Sequence, residues 1–317
     1  MRIVVIGGTG HIGTFLIPRL VLAGHDVICV SRQERKPYLA HPAWKSVTMV
    51  AIDRDKAEEI NMFGTQIRNL SPDVVIDLIC FTLESARSLV EALEGHLQHF
   101  IHCGTIWVHG HSEVVPTDET QFRKPICDYG TQKAAIENYL LMLARKTGFP
   151  ATVLHPGHIV GPGWFPVNPI GTVNPEPFKL LAEGEELVLP NLGMETLHHV
   201  HADDVAAAFC NALNNWNNAV GESFHIVSPQ ALTLRGYANA VASWFGKRAN
   251  LSFLPWEEWK HTVSESEAEE TWDHIAHSPN CSIEKAKRLL NYSPRYTSLQ
   301  AIEEAVRLLP GNISDGR

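Results

Sequence analysis

The chain of 317 residues has no C-x-x-C pair; its six cysteines (Cys29, Cys80, Cys103, Cys127, Cys210, Cys281) are scattered. That spacing excludes a dithiol redox motif or a zinc ribbon, and reads as reduced thiols, several of them inside strands. No apolar run reaches the ~18 residues that span a bilayer. Basic residues are in deficit, 26 Lys and Arg against 35 Asp and Glu, for a formal net charge of -9. A nucleic-acid backbone or an anionic membrane is therefore a poor default partner. The start of the chain lacks a charged segment leading into an apolar stretch and a small-residue cleavage site, so the expected location is the cytoplasm.

What is present is a soluble globular balance, 44% hydrophobic and 19% charged, with length for one large α/β unit or two modest ones. Short apolar runs at Arg2–Ile6, Asp26–Val30, Val47–Ile52, Val74–Ile79, Phe100–Cys103 and Ala151–Leu154 read as strands. Helix-period segments at Ile12–Ala23, Ala57–Leu70, Leu83–Leu93 and Tyr129–Thr147 alternate with them. Alternation of this kind implies βαβ units and a parallel sheet covered on both faces. After Pro156 the texture turns rich in Pro and Gly up to about residue 177, and further helices are expected at Asp204–Asn214, Leu234–Phe245, Ile283–Leu290 and Leu299–Leu309. The expected fold is α/β: a Rossmann-type doubly wound parallel sheet over 1–156, with a smaller mixed α/β substrate-binding part over 157–317. Segments near 200–227 are expected to return to the first part.

Four glycines crowd the stretch GGTGHIG between the first strand and the first helix. Gly7, Gly8, Gly10 and Gly13 fit either Gly-x-Gly-x-x-Gly or Gly-x-x-Gly-x-x-Gly. Glycine there lets a phosphate approach the backbone, and the helix N-terminus offers free N–H groups to a pyrophosphate. Between a first strand and a first helix, this spacing marks a dinucleotide cradle, which takes in His11 and Ile12 as well. No carboxylate ends the second strand; Ser31, Arg32 and then Arg35 follow it. A guanidinium suits the 2′-phosphate of NADP, so NADP(H) is favoured over NAD(H). Asp53, after the third strand, is placed to reach the adenine amino group or to face solvent.

Tyr129 and Lys133, in DYGTQK, lie four apart and so share one helix face. An ammonium beside a phenol stabilises the phenolate and makes the tyrosine a usable general acid or base. With GGTGHIG, DVVIDL, FIHCGTIWVHG, YGTQK, LHPGHIVGPG and HHVHADDVAAAF in this order, the chain resembles an extended short-chain dehydrogenase/reductase of the epimerase/dehydratase branch. The stretch CSIEKAKRLLNYSPRYTSLQAIEEAV is similar to that family's closing helices. The resemblance implies that Thr105 hydrogen-bonds the reacting oxygen and Tyr129 exchanges its proton. It implies further that Lys133 tunes the tyrosine and holds a nicotinamide-ribose hydroxyl. Pro156 and Gly157 would lie against the nicotinamide, and Leu78 and Ile79 along the cofactor. Trp107, His109, His158, Trp164 and Phe165 form the expected substrate wall, with His158 the foremost contact.

Two departures from the resemblance bear on the substrate. Where nucleotide-sugar members place diphosphate-gripping arginines, this chain has Leu197 and His155, and residues 160–200 contain no arginine. A diphosphate would then have to be held by Arg288 or Arg295. HHVHADD invites a metal reading through His199, His201 and Asp203 or Asp204, but a strand running into a helix capped by Asp203 fits better, and no metal is expected. The leading function is an NADP(H)-dependent oxidoreductase moving a hydride to or from a carbonyl or alcohol carbon of a hydroxylated, sugar-like small molecule. A nucleotide-sugar epimerase or dehydratase with tightly held NAD(P) is the second reading, and a catalytically quiet RNA-binding relative the third. A homodimer through the Tyr-x-x-x-Lys helix would use Ile136, Tyr139, Leu140 and Leu143, but core packing is the better account of each of those residues.

Overall fold

The structure, a computed structural model, describes residues 1–308. Chain order gives β1 (Arg2–Ile6), α1 (His11–Leu22), β2 (Asp26–Ser31), β3 (Thr48–Ala51), α2 (Arg54–Glu59), α3 (Phe63–Asn69), β4 (Val74–Asp77), α4 (Leu83–Leu93), β5 (His99–Cys103), α5 (Asp128–Thr147) and β6 (Ala151–Pro156). There follow β7 (His158–Val160), α6 (Glu176–Glu183), β8 (Glu186–Pro190), β9 (Thr196–Leu197), β10 (His199–His201), α7 (Ala202–Asn214), α8 (Trp216–Ala219) and β11 (Ser223–Ile226). The chain continues through β12 (Leu232–Thr233), α9 (Leu234–Trp244), β13 (Asn250–Leu254), α10 (Trp256–Trp259), α11 (Glu265–His277), α12 (Glu284–Leu290) and α13 (Ser298–Arg307). The expected helix end at Leu309, and residues 309–317 of the C-terminal part, lie outside the described residues.

Seven strands form one parallel sheet in the order β11-β6-β5-β4-β1-β2-β3. The order reverses beside β1, which opens a crevice at the carboxyl ends of β1 and β4. The two-residue side-chain period shows in β1. Ile3 and Val5 pack with Leu16, Ile17, Val205 and Phe209 on one face, while Val4 and Ile6 pack with Ile67, Leu89, Ile136 and Leu140 on the other. Ile136 and Leu140 are thus fully buried in the chain's own core, with Tyr139 and Leu143 partly buried against it. A third apolar cluster joins α6, β8, α9 and α13 around Phe178, Leu189, Tyr237 and Ile302.

Several elements differ from expectation. The 57–70 segment is two helices, because Asn61 takes a left-handed φ of 54° between α2 and α3. Asp53 is the residue that starts α2, its side chain accepting from Lys56 N. β4 stops at Asp77, so Leu78 and Ile79 leave the sheet at the crevice. Asp203 does not cap α7: His201 does, through Nδ1 accepting from Asp203 N at 3.0 Å, and Asp203 instead pairs with Arg19 and Arg295. Leu197 is buried in the third apolar cluster opposite Leu232.

Candidate active site

Gly7, at the end of β1, has φ 81° and donates its N–H to Val30 O, so the glycine turn is pinned to β2. Gly8 and Gly13 are needed for packing: a Cβ on Gly13 would stand 2.1 Å from Gly8 O, and one on Gly8 2.5 Å from Ile17 Cδ1. Gly10 is different. It is the N-cap of α1 with no side-chain cap, and a Cβ there would meet nothing nearer than Gly7 O at 3.4 Å. The uncapped N-terminus and the open space above Gly10 fit a pyrophosphate.

That space belongs to a cleft of about 380 Å³ lined by Gly7, Gly10, Ser31, Arg32, Arg35, Asp53 and Ile79, among others. Arg32 is half exposed and lies 3.3 Å from Glu34. Ser31 Oγ accepts from Gln33 N at 3.2 Å, which turns the chain after β2. Arg54, beneath, is buried and committed to Asp77 and Glu58 at 2.9 and 2.7 Å. Arg32 and Arg35 are therefore the guanidinium groups of this cleft left for a ligand.

A second cavity, of about 320 Å³, is lined by Ile12, Leu78, Phe81, Thr105, Trp107, Tyr129, Lys133, Pro156, Gly157 and His158, with backbone from the end of β5. Phe81 lines both cavities. Tyr129 and Lys133 occupy the first turns of α5, whose N-cap is Cys127. Lys133 is 1% exposed; its Nζ donates to Cys103 O at 2.7 Å and lies 5.7 Å from the Tyr129 ring centre and 5.0 Å from that of Phe81. Burial pulls the ammonium below its ordinary pKa. Burial likewise pushes the Tyr129 phenol up, and a hydrogen bond with the Thr105 side chain opposes that rise. Thr105 follows β5, where its Oγ1 accepts from Trp107 N and its own N–H donates to His155 Nδ1 at 2.9 Å.

His158 enters the cavity from β7, directly after the Pro156–Gly157 turn. A Cβ on Gly157 would sit 2.3 Å from His198 O, so only glycine lets the two strands approach there. His158 Nδ1 accepts from His198 N at 3.3 Å, which leaves the hydrogen on Nε2; that atom is buried and has no partner within the protein. Burial, then the neighbouring His274, His199, His198 and His277, hold its pKa well below the ordinary value. Trp107 is packed face to face on His277, ring centres 4.3 Å apart, and edge-on to His274. His274 and His277, on α11, were not in the sequence reading; nothing in their spacing connects them with the glycine turn or with Tyr129.

Other expected wall residues stand elsewhere. His109 is turned into the interior, its Nε2 2.8 Å from His225 Nε2, because the three-residue period of the short turn 106–109 puts it on the same buried face as Ile106. Trp164 lies against the glycine turn, stacked on His11. Among the lining residues Lys133 is the one charged side chain; neither Arg288 nor Arg295 lines the cavity, and Arg295 is engaged with Asp203. His199 and His201 do not converge, since one reaches Val167 O and the other Glu304. Asp77, Cys80 and His102 do bring potential ligand atoms within 4.8 Å of one another, yet Arg54 already takes both Asp77 oxygens.

Comparisons with known proteins agree with this geometry. Residues 3–226 match the family model "NAD dependent epimerase/dehydratase family". Among curated proteins, the chloroplast stem-loop binding protein of 41 kDa b of Arabidopsis thaliana is 25% identical, over 97% of this chain and 79% of that one. The 2'-dehydrokanamycin reductase of Streptomyces kanamyceticus is also 25% identical, over 87% and 76%. Among solved structures, UDP-glucose 4-epimerase of Thermotoga maritima superposes with a TM-score of 0.74 at 21% identity, covering 97% of this chain and 98% of that one. In its fold, its crevice and its sequence, this chain is an enzyme of the short-chain dehydrogenase/reductase type and belongs to the NAD-dependent epimerase/dehydratase family.

Proposed function

We propose that the protein is an NADP(H)-dependent oxidoreductase acting on a carbonyl or carbinol carbon of a hydroxylated ring without a diphosphate. Thr105, Tyr129 and Lys133 meet in one cavity beside the Pro156–Gly157 turn, and that single observation carries the reading. When bound, the dinucleotide supplies or accepts the hydride. Tyr129 exchanges the proton of the reacting oxygen, and Thr105 orients that oxygen by donating to it. Lys133 lowers the cost of the phenolate and leaves Cys103 O for a ribose hydroxyl of the cofactor. His158 donates Nε2–H to a substrate hydroxyl. Residues 1–156, with the segments near 200–227, form the cofactor half, and 157–317 the smaller substrate part.

The ring carries no diphosphate because the cavity offers no guanidinium and its one lining histidine, His158, is held neutral by burial. A buried diphosphate without a cation fork would be strongly disfavoured. The relative named 2'-dehydrokanamycin reductase favours a net reduction over an epimerisation. The RNA-binding reading, represented by the chloroplast relative, has against it the intact Thr105–Tyr129–Lys133 set and the net charge of -9.

The test is a titration of wild type and Arg32→Ala with NADPH and NADH, followed by reduced-nicotinamide fluorescence. Tight NADPH binding that weakens about ten-fold or more in Arg32→Ala is expected, since one charge-assisted fork contributes about 1.5–3 kcal/mol. Preferential NADH binding indifferent to Arg32 overturns the NADP(H) assignment and shifts weight to an epimerase with retained NAD. RNA binding without dinucleotide binding overturns the oxidoreductase reading.

A further inference from the structure

Behind the Thr105 turn lies a chain of buried polar groups that the proposed chemistry does not use. The Thr105 N–H donates to Nδ1 of His155, a fully buried residue of β6. Accepting that hydrogen leaves Nδ1 without a proton of its own and places the ring hydrogen on Nε2. Nε2 lies in close contact with Glu137 Oε1, at 3.1 Å. Glu137 in turn is forked by Arg123, Nε to Oε2 at 2.9 Å and Nη2 to Oε1 at 2.6 Å. Burial pushes the Glu137 carboxyl up, but His155 and Arg123 overcome it and hold the group well below the carboxylate range. The arrangement leaves no room for slack: a Cβ on Gly104 would stand 2.3 Å from His155 Nδ1, so the ring reaches the turn only because residue 104 is glycine.

Glu137 is four residues beyond Lys133 and eight beyond Tyr129, on the same face of α5. The helix that carries the tyrosine and lysine therefore sets Glu137 against the same His155 ring that accepts from the threonine backbone. A residue that merely filled the core would leave the Thr105 N–H unpaired in a buried turn, which is costly. His155 is also absent from the cavity lining, so it does not stand in for a substrate-gripping arginine.

We propose that His155 is a positioning residue: its Nδ1 fixes the Thr105 backbone, and with it the Thr105 hydroxyl, against Tyr129. The proposal rests on the reading of Thr105 and Tyr129 as partners. Besides Thr105, the titratable groups that face the phenol are Lys133, Cys103 and Cys127, and none of these is altered in the test.

The test places 3,5-difluorotyrosine at position 129 of the full chain, where the fluorines bring the phenol into an accessible pH range and report its titration by 19F NMR. Thr105→Ala is expected to raise that pKa by about one pH unit, the effect of one lost hydrogen bond to the phenolate. His155→Asn keeps an acceptor where Nδ1 was and is expected to leave the titration unchanged. His155→Gln, whose amide reaches the Nε2 position instead, is expected to raise it as Thr105→Ala does. Thermal unfolding of each variant establishes that it folds. If Thr105→Ala moves the titration and His155→Gln does not, the positioning role is overturned while the Thr105–Tyr129 partnership stands. Equal shifts in both His155 variants report general loosening and also overturn it. If Thr105→Ala itself moves nothing, the partnership fails, and the positioning role with it.

Discussion

Trp164 stacks flat on His11, ring centres 3.6 Å apart and planes within 4°. His11 opens α1 at the glycine turn, whereas Trp164 comes from the Pro/Gly-rich loop after β7. Its indole N–H is anchored on Ile159 O at 3.2 Å, and Tyr38 completes the contact by hydrogen-bonding His11 Nε2 through its hydroxyl at 2.8 Å. The loop that follows the Pro156–Gly157 turn thus closes onto the rim of the glycine turn.

Removing this contact is expected to free the cofactor rather than to unfold the chain. In Trp164→Ala the NADPH dissociation rate, measured by stopped flow, should rise about 2- to 10-fold, the equivalent of an aromatic contact of ~0.5–1.5 kcal/mol. Trp164→Phe should recover most of it. An unchanged dissociation rate in the alanine variant would show that the stack does not guard the cradle.

Two glycines of the same turn should behave oppositely. Gly13→Ala forces a Cβ into the backbone at Gly8 and should destabilise the fold by about 1–3 kcal/mol or more, seen as a lower thermal midpoint. Gly10→Ala meets open space at an ordinary φ of -81° and should melt within a degree or two of wild type. Its methyl, however, stands where a phosphate would approach, so NADPH binding should weaken at least about ten-fold, a loss of ~1.4 kcal/mol. Undiminished binding by Gly10→Ala would remove the cradle reading from this turn.

Acid should destabilise the protein well before its ordinary carboxylates titrate. Burial lowers His99, His109 and His198 from 6.5 to about 4. A depressed folded pKa means that the unfolded chain takes up the proton first. The stability these groups contribute is complete above pH 6.5 and is lost as pH falls towards 4, by up to about 1.4 kcal/mol per pH unit for each. Glu119 and Asp204, raised by burial, act in the opposite sense and offset part of the loss. The thermal midpoint at constant ionic strength should therefore fall steadily from pH 6.5 to 5; a flat profile over that interval would contradict the buried neutral state of these rings.

Much of this was legible in the chain because it is local. Strands such as Arg2–Ile6 and helices such as Leu83–Leu93 follow from side-chain period and agree residue for residue. The glycine turn and the Tyr129–Lys133 pair are short-range patterns whose meaning survives without coordinates. The break at Asn61 was hidden because a left-handed residue interrupts an apolar period without erasing it. His109 and Trp164 were misplaced because proximity in sequence to Thr105 or to the Pro-Gly turn says nothing about which way a loop folds back.

The βαβ alternation, the glycine turn and the spacing of the two residues on α5 follow from the order of residues alone, since backbone preference and period over a few residues decide each. Packing in three dimensions sets His155, 50 residues from Thr105, against its backbone, and His274 and His277 against Trp107. Those contacts join segments far apart in the chain. They exist because the parallel sheet sets β5 beside β6 and the C-terminal helices fold over its carboxyl edge.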